Sequence, residues 1–425
     1  MVKSIKLETF LSRAVLIGAG FVCLIGIFFF VKWCLANAIA AHAPAKEVAA
    51  LAVDLAPRDP QTHYALAVLD EKSFLPQDLP ESLAEYERAT ALAPGDFRLW
   101  LALGKASERN GDRAGAELAL RKALELAPNY AAVQWTLANV LLRRGKTGEA
   151  FSEMRKAAEN DAAYESATVG TAWQISGGNL ADVRQNIGDS AKLNAALALF
   201  LASQKRFDDA LQIWNALLLP DDEKKSSLKE IGGQLSASML GAKRFRDALL
   251  IGQSVGENAE AAENFAVGKI YNGGFEQDVK REKAGAFDWQ IADGAQPQIG
   301  FDDSQKRAGN RSLVVIFDSP NGRDFRQILQ TIVVEARRKY VFEAFYKSDL
   351  KTAATVHWEI SDAADGKILA ATVAVTENAD WMQLNAEFMA SESTQAVVLR
   401  LVREQCKSVI CPVSGKVWFD DFSLR

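Results

Sequence analysis

The stretch LAPGDFRLWLALGKASERNGDRAGAELALRKALELAPNY, residues 92–130, decides how this chain is read. It holds a pair of helices. Trp100, Leu103 and Gly104 mark the first, and Ala116, Leu120 and Ala123 mark the second. Pro128 ends the pair, because proline cannot continue a helix. Gly104 and Ala116 are small, so the two helices can approach closely, and the bulk of Trp100 and Leu120 fills the space between units.

The phrase recurs. LAPRD ends at Asp59, LAPGD at Asp96 and LAPNY at Tyr130, which spaces Pro57, Pro94 and Pro128 by 37 and 34 residues. At an offset of 34, Gly111/Gly145, Ala116/Ala150, Arg121/Arg155 and Tyr130/Tyr164 are identical. The pattern resembles the tetratricopeptide repeat, whose period is about 34. The unit 131–164 keeps Leu137, Ala138, Ala150 and Ala157 but has Ala162 where the proline is expected. Residues 60–96 form a unit with extra residues near 73–80, and 45–57 read as a lone second helix running on from the N-terminal segment. The segments 206–211 and 244–249 repeat one another after apolar helices at 191–203 and 227–242. The expectation is about five to six helical hairpins over 45–256, stacked into a solenoid whose concave face docks a partner protein.

Upstream, AVLIGAGFVCLIGIFFFV (14–31) carries no charge and is apolar on every face. At about 1.5 Å per residue it matches the bilayer hydrocarbon core, and Lys32 and Trp33 extend a membrane segment to residue 35. Lys3, Lys6 and Arg13 precede it, which places residues 1–13 in the cytoplasm and the body outside it. A cleaved signal peptide, ending near Ala36-Asn37-Ala38, is the competing reading, and it would release a secreted protein.

From about residue 268 the pattern changes to period two, with strands expected at 312–317, 338–346, 355–360, 370–375, 395–402 and 417–422. So many short strands in one region imply a β-sandwich or jelly roll over 268–425. Asn272-Gly-Gly-Phe-Glu276, Gly309-Asn-Arg-Ser-Leu313 and Val417-Trp-Phe-Asp-Asp-Phe-Ser-Leu424 give a more specific likeness. Their order resembles the carbohydrate-binding-module and galactose-binding-like jelly-roll superfamily. A sugar needs an aromatic plane, and Trp289, Tyr346 and Trp358 are the candidates. Trp358 shares a strand face with Val356 and Ile360, which also suits a core residue. The resemblance further implies a structural Ca²⁺ that clips the opening segment to the last strand, through Glu276 and Asp420 or Asp421, with Asp420 favoured. Cys406 and Cys411 flank four residues between two strands and are expected to form a disulfide once exported.

The net charge of −5 argues against nucleic acid as a partner, since phosphate recognition needs a basic surface. Three His and four Cys leave little for a transition-metal centre. No nucleophile elbow, P-loop, zinc motif or dinucleotide fingerprint is present, so no enzyme is expected. The whole reads as a multidomain chain: transmembrane helix, all-α tetratricopeptide-like solenoid, then all-β jelly-roll sandwich. As a function it suggests a scaffold at the inner membrane of a bacterium with a periplasmic body, binding a protein through the repeats and glycan or protein through the sandwich. Assembly or export of exopolysaccharide would be its setting. The alternative is an envelope-assembly protein that binds no sugar.

Overall fold

A computed structural model describes residues 10–73, 78–217, 222–255, 266–280, 284–319, 325–352, 354–404 and 411–425. Two compact units are formed, Met1–Leu193 and Asn194–Arg425. The first holds α1 (Phe10–His42), α2 (Lys46–Leu55), α3 (Pro60–Lys72), α4 (Asp78–Leu92), α5 (Phe97–Arg109), α6 (Arg113–Leu126), α7 (Ala131–Arg143), α8 (Thr147–Asn160), α9 (Glu165–Ile175) and α10 (Leu180–Ile187). The second unit holds most of α11 (Ala191–Ser203), then α12 (Phe207–Asn215), α13 (Asp222–Gly241), α14 (Phe245–Ser254) and the strands.

Each repeat is closed by local chemistry that recurs in register. Asp59, Asp96 and Asp112 cap α3, α5 and α6 by accepting backbone N–H bonds at 2.8, 3.0 and 2.9–3.1 Å. The fourth residue of three successive first helices then bonds back to the proline carbonyl six residues earlier. His63 meets Pro57 O at 3.0 Å, Trp100 Nε1 donates to Pro94 O at 2.9 Å, and Gln134 Nε2 donates to Pro128 O at 2.8 Å. Between helices the chain turns through a left-handed residue: Gly111, Gly145, Gly177, Lys205 or Lys243. The following N–H reaches back five residues, as from Asp112 to Ser107 O and from Arg244 to Met239 O, both at 2.9 Å. The same turn at 205 and 243 identifies the degenerate late hairpins as members of the series.

α1 differs from the sequence expectation. It continues past its apolar span to His42, where Pro44 follows, and its last turns pack against α2 and α3. Residues 46–55 are therefore no lone second helix, because the end of α1 supplies their partner. Small residues permit the approach: Ala36, Ala49 and Ala52 are fully buried. Asp59 fixes the junction, accepting from Trp33 Nε1 and, at 2.8 Å, from Asn37 Nδ2. Among the described residues α1 is the one helix long and apolar enough to cross a membrane.

The sandwich is two antiparallel five-stranded sheets. One has the order β1 (Gln290–Ile291), β4 (Ile328–Val333), β9 (Ala396–Arg403), β6 (Val356–Asp362), β7 (Ile368–Ala371). The other runs β2 (Gln298–Asp302), β3 (Ser312–Ser319), β10 (Val413–Leu424), β5 (Lys339–Thr352), β8 (Asn378–Met389). Non-sequential neighbours such as β3–β10–β5 give the jelly-roll connectivity. The core between the sheets gathers Phe275, Trp289, Trp358, Phe419 and Phe422, with Trp358 and Phe422 ring centroids 4.9 Å apart, edge to face.

Candidate functional site

A groove opens between α1 and the first helix of the next hairpin, α3. At one end Asn37 and Ala40 of α1 face Gln61, Tyr64 and Val68 of α3 across a cavity of about 420 Å³. The repeat offset carries Tyr64 onto Leu101 and Trp135, so a row of large half-buried side chains follows the first helices. Trp135 rests against Tyr164 with ring centroids 5.2 Å apart. A ladder of ion pairs in the same register ties neighbouring helices, Arg109 to Glu71 and Arg143 to Glu108. Lys72 and Lys105 form no ion pair among the described residues, so their charge is open to a ligand.

Deeper between repeats, Glu117 is buried and receives Arg121 Nε at 2.8 Å, Lys146 Nζ at 2.8 Å and Arg144 Nη1. Burial opposes its charge, yet the bonds from Lys146 and Arg121 hold its pKa below the ordinary value. Asp70, nearly buried at the end of α3, goes the other way. Burial raises it to about 6, Lys46 pulls it down, and Glu81 and Asp78 push it up. The first network is structural glue. The second is a buried acid held between α2 and α4.

In the sandwich, the expected sugar platform is corrected. Trp289, Tyr346 and Trp358 are 1%, 2% and 0% exposed and belong to the core. A ring with both faces packed against protein has none left for a pyranose. Trp418 is buried too, at 8% exposure, and its Nε1 donates to Asp302 Oδ2 at 2.8 Å. Among the described residues no aromatic ring of the sandwich is fully exposed, and Phe345 and Trp381 are half-buried.

Glu276 of the opening segment and Asp420 of the last strand each bind the 307–311 loop, through N–H donors. Glu276 Oε1 accepts from Asn310 N at 2.8 Å and Arg311 N at 3.3 Å, and Oε2 from Asn310 Nδ2 at 2.8 Å. Asp420 Oδ2 accepts from Arg307 N at 2.9 Å and Ala308 N at 3.1 Å, and Oδ1 from Asp421 N at 2.8 Å. Asn310 N–H is the largest influence holding Glu276 below its ordinary pKa, whereas burial raises Asp420 despite its three donors. Asp421 turns away and pairs with Arg307. Calcium wants bare carboxylate and carbonyl oxygens, and N–H hydrogens aimed at the same oxygens oppose it. The geometry does not fit the cation. Among the described residues no group of three or more His, Cys, Asp or Glu gathers elsewhere.

Cys411 is disulfide-bonded, while Cys23 and Cys34 are free. Its expected partner Cys406 lies outside the described residues.

No family model matches the chain, and no curated protein does. Solved structures that resemble it fall into two groups. The TPR protein YrrB, described as having an unusual peptide-binding site, is 15% identical over 52% of this chain and 97% of its own, with a TM-score of 0.27. A MamA structure is 17% identical over 40% of this chain and 95% of its own, TM-score 0.31. A CBM4 structure is 16% identical over 36% of this chain and 97% of its own, TM-score 0.28. At such scores these likenesses decide nothing beyond what the chain's own topology shows.

Proposed function

We propose that this chain is a membrane-anchored, non-catalytic interaction scaffold that captures an extended peptide segment of a partner protein along the first helices of its repeats. One observation carries the reading: Tyr64, Leu101 and Trp135 stand in register on consecutive repeats beside Lys72 and Lys105, whose charge the chain leaves unanswered. Spaced apolar side chains on the peptide would meet the row, and an acidic group would meet a lysine. The charge order around residues 3–32 supports a cytoplasmic N-terminus with the body outside, as in a bacterial inner membrane. A bonded Cys411 suits an oxidising compartment there.

The test is site-specific photocrosslinking of the full chain in its own membranes, with the crosslinker at 101 or 105. A discrete adduct that disappears on Trp135→Ala and Tyr64→Ala is expected. Adducts no more frequent than from an outward-facing position such as Leu118, which is 73% exposed, would sink the groove.

The sandwich takes the polysaccharide part of the reading only if a glycan meets its half-buried surface aromatics, because the three rings first nominated are packed away. A role in exopolysaccharide assembly or export therefore depends on a glycan array of the intact body. Silence across acidic and neutral polymers would leave an envelope scaffold that binds proteins alone.

A further inference from the structure

The cleft where α1 leaves its apolar span adjoins the groove and shares Asn37 and Gln61 with it. It encloses about 830 Å³ between the last apolar turn of α1 and the α2–α3 turn. Phe29, Leu55 and Pro57 give it apolar walls, and Lys32 and Arg58 stand at its edge. Asp59 is the acid that borders it, and that carboxylate is spent: Oδ1 accepts from Gln61 N at 2.8 Å, and Oδ2 from Trp33 Nε1 and Asn37 Nδ2. Lys32 and Arg58 form no ion pair among the described residues.

Two cations that the chain does not neutralise thus flank an apolar cleft. Lys32 directly follows the uncharged run 14–31, so in a bilayer the cleft opens where hydrocarbon gives way to headgroups. We infer that it seats one anionic phospholipid, the phosphodiester held between Lys32 and Arg58 and an acyl chain lying along Phe29. Lipid is the occupant because the apolar wall is continuous with the exposed face of the span, where the surrounding solvent is lipid. The lipid is anionic because Asp59 already accepts three hydrogen bonds from the chain, and a zwitterion would leave the pair of cations undercompensated. The inference rests on the anchor reading above.

The experiment uses the full chain extracted in mild detergent and offered equal amounts of phosphatidylglycerol and phosphatidylcholine with the same acyl chains. Native mass spectrometry should show one retained phosphatidylglycerol, favoured at least about fivefold, the scale set by one juxtamembrane cation. Lys32→Gln combined with Arg58→Gln should lower that retention by about fivefold or more, while Lys32→Arg with Arg58→Lys should keep it. Equal retention of the two lipids, or undiminished phosphatidylglycerol in the double glutamine variant, would overturn the site. Washing membranes with alkaline carbonate separates the two readings. Release of the chain would remove the anchor and the lipid site together, whereas a chain that stays with the membrane yet shows no lipid preference removes the site alone.

Discussion

Gly104 in the repeats and Gly273 in the sandwich are both pressed against a neighbour, and the neighbours differ in kind. A Cβ at Gly104 would meet the side chain of Leu120, with Cγ 2.5 Å away. A Cβ at Gly273 would meet the backbone carbonyl of Phe422 at 2.2 Å, whose residue also donates its N–H to Gly273 O at 3.0 Å. Repeats are held by side chains from residues close in sequence, which can repack. The sandwich is held by backbone from opposite ends of its chain segment, which cannot.

Aromatic truncation should break this contrast most visibly. Trp358→Ala removes the centre of the sandwich core and is expected to cost about 4 kcal/mol. Trp135→Ala, on the half-buried groove row, is expected to cost about 1 kcal/mol or less while abolishing the crosslink. Region-by-region hydrogen exchange reads both, and equal costs would mean that the groove row is a second core. The glycines come next. Gly273→Ala should cost about 3 kcal/mol because the carbonyl has nowhere to go, and Gly104→Ala about 1–2 kcal/mol, overpacking being partly offset by the better helix propensity of alanine. A reversal of that order in denaturant midpoints would refute the distinction between the two kinds of contact.

Acidity should sharpen the comparison least. Asp70 has its folded pKa raised to about 6 from an ordinary 3.8, so its contribution is fully present below 3.8 and is lost as pH rises through about 6. Asp302 in the sandwich is lowered to about 2, by Ser304 first and also by Trp418, against burial. Its contribution is present above 3.8 and is lost as pH falls through about 2. Between pH 7.5 and 5 Asp70 should therefore add about 1 kcal/mol to the repeats after discounting for solvent, and Asp302 should add nothing to the sandwich. Asp70→Asn should raise the melting temperature of the repeats at pH 7.5 and leave it nearly unchanged at pH 4. An Asn variant that melts alike at both pH values relative to wild type would remove Asp70 as the source.

Much of the fold was legible in the sequence because repeats and strands announce themselves locally. The prolines of the LAP phrases end helices, and alternation at 312–317 or 395–402 places strands within a residue or two of β3 and β9. β8 escaped because Asn378-Ala-Asp-Trp-Met-Gln-Leu-Asn-Ala-Glu-Phe-Met is poor in branched residues and polar on its outer face. The first hairpin escaped because a helix apolar on every face has no stripe to show where it turns from membrane to repeat partner. Alternation says which residues share a face but not which face is inside. Trp358 was offered as a sugar plane for that reason, and Trp289 precedes β1, a strand too short to read. The partners of Glu276 and Asp420 were invisible for a different reason: they are backbone N–H groups, which every residue but proline carries.

One feature of α1 changes how a partner can reach the groove. From Ile27 to His42 the helix contains neither glycine nor proline, and the 33 residues of α1 make a rod of about 50 Å. If, as proposed, one end sits in a bilayer while the other forms a wall of the groove, the tether has no slack. The groove is presented at one height and one tilt, free only to slide and spin in the plane. A partner anchored in the same membrane at matching height searches two dimensions and gains a high effective concentration, while a freely diffusing partner gains nothing. Stiffness in the stalk would thus choose among partners before any side chain touches them.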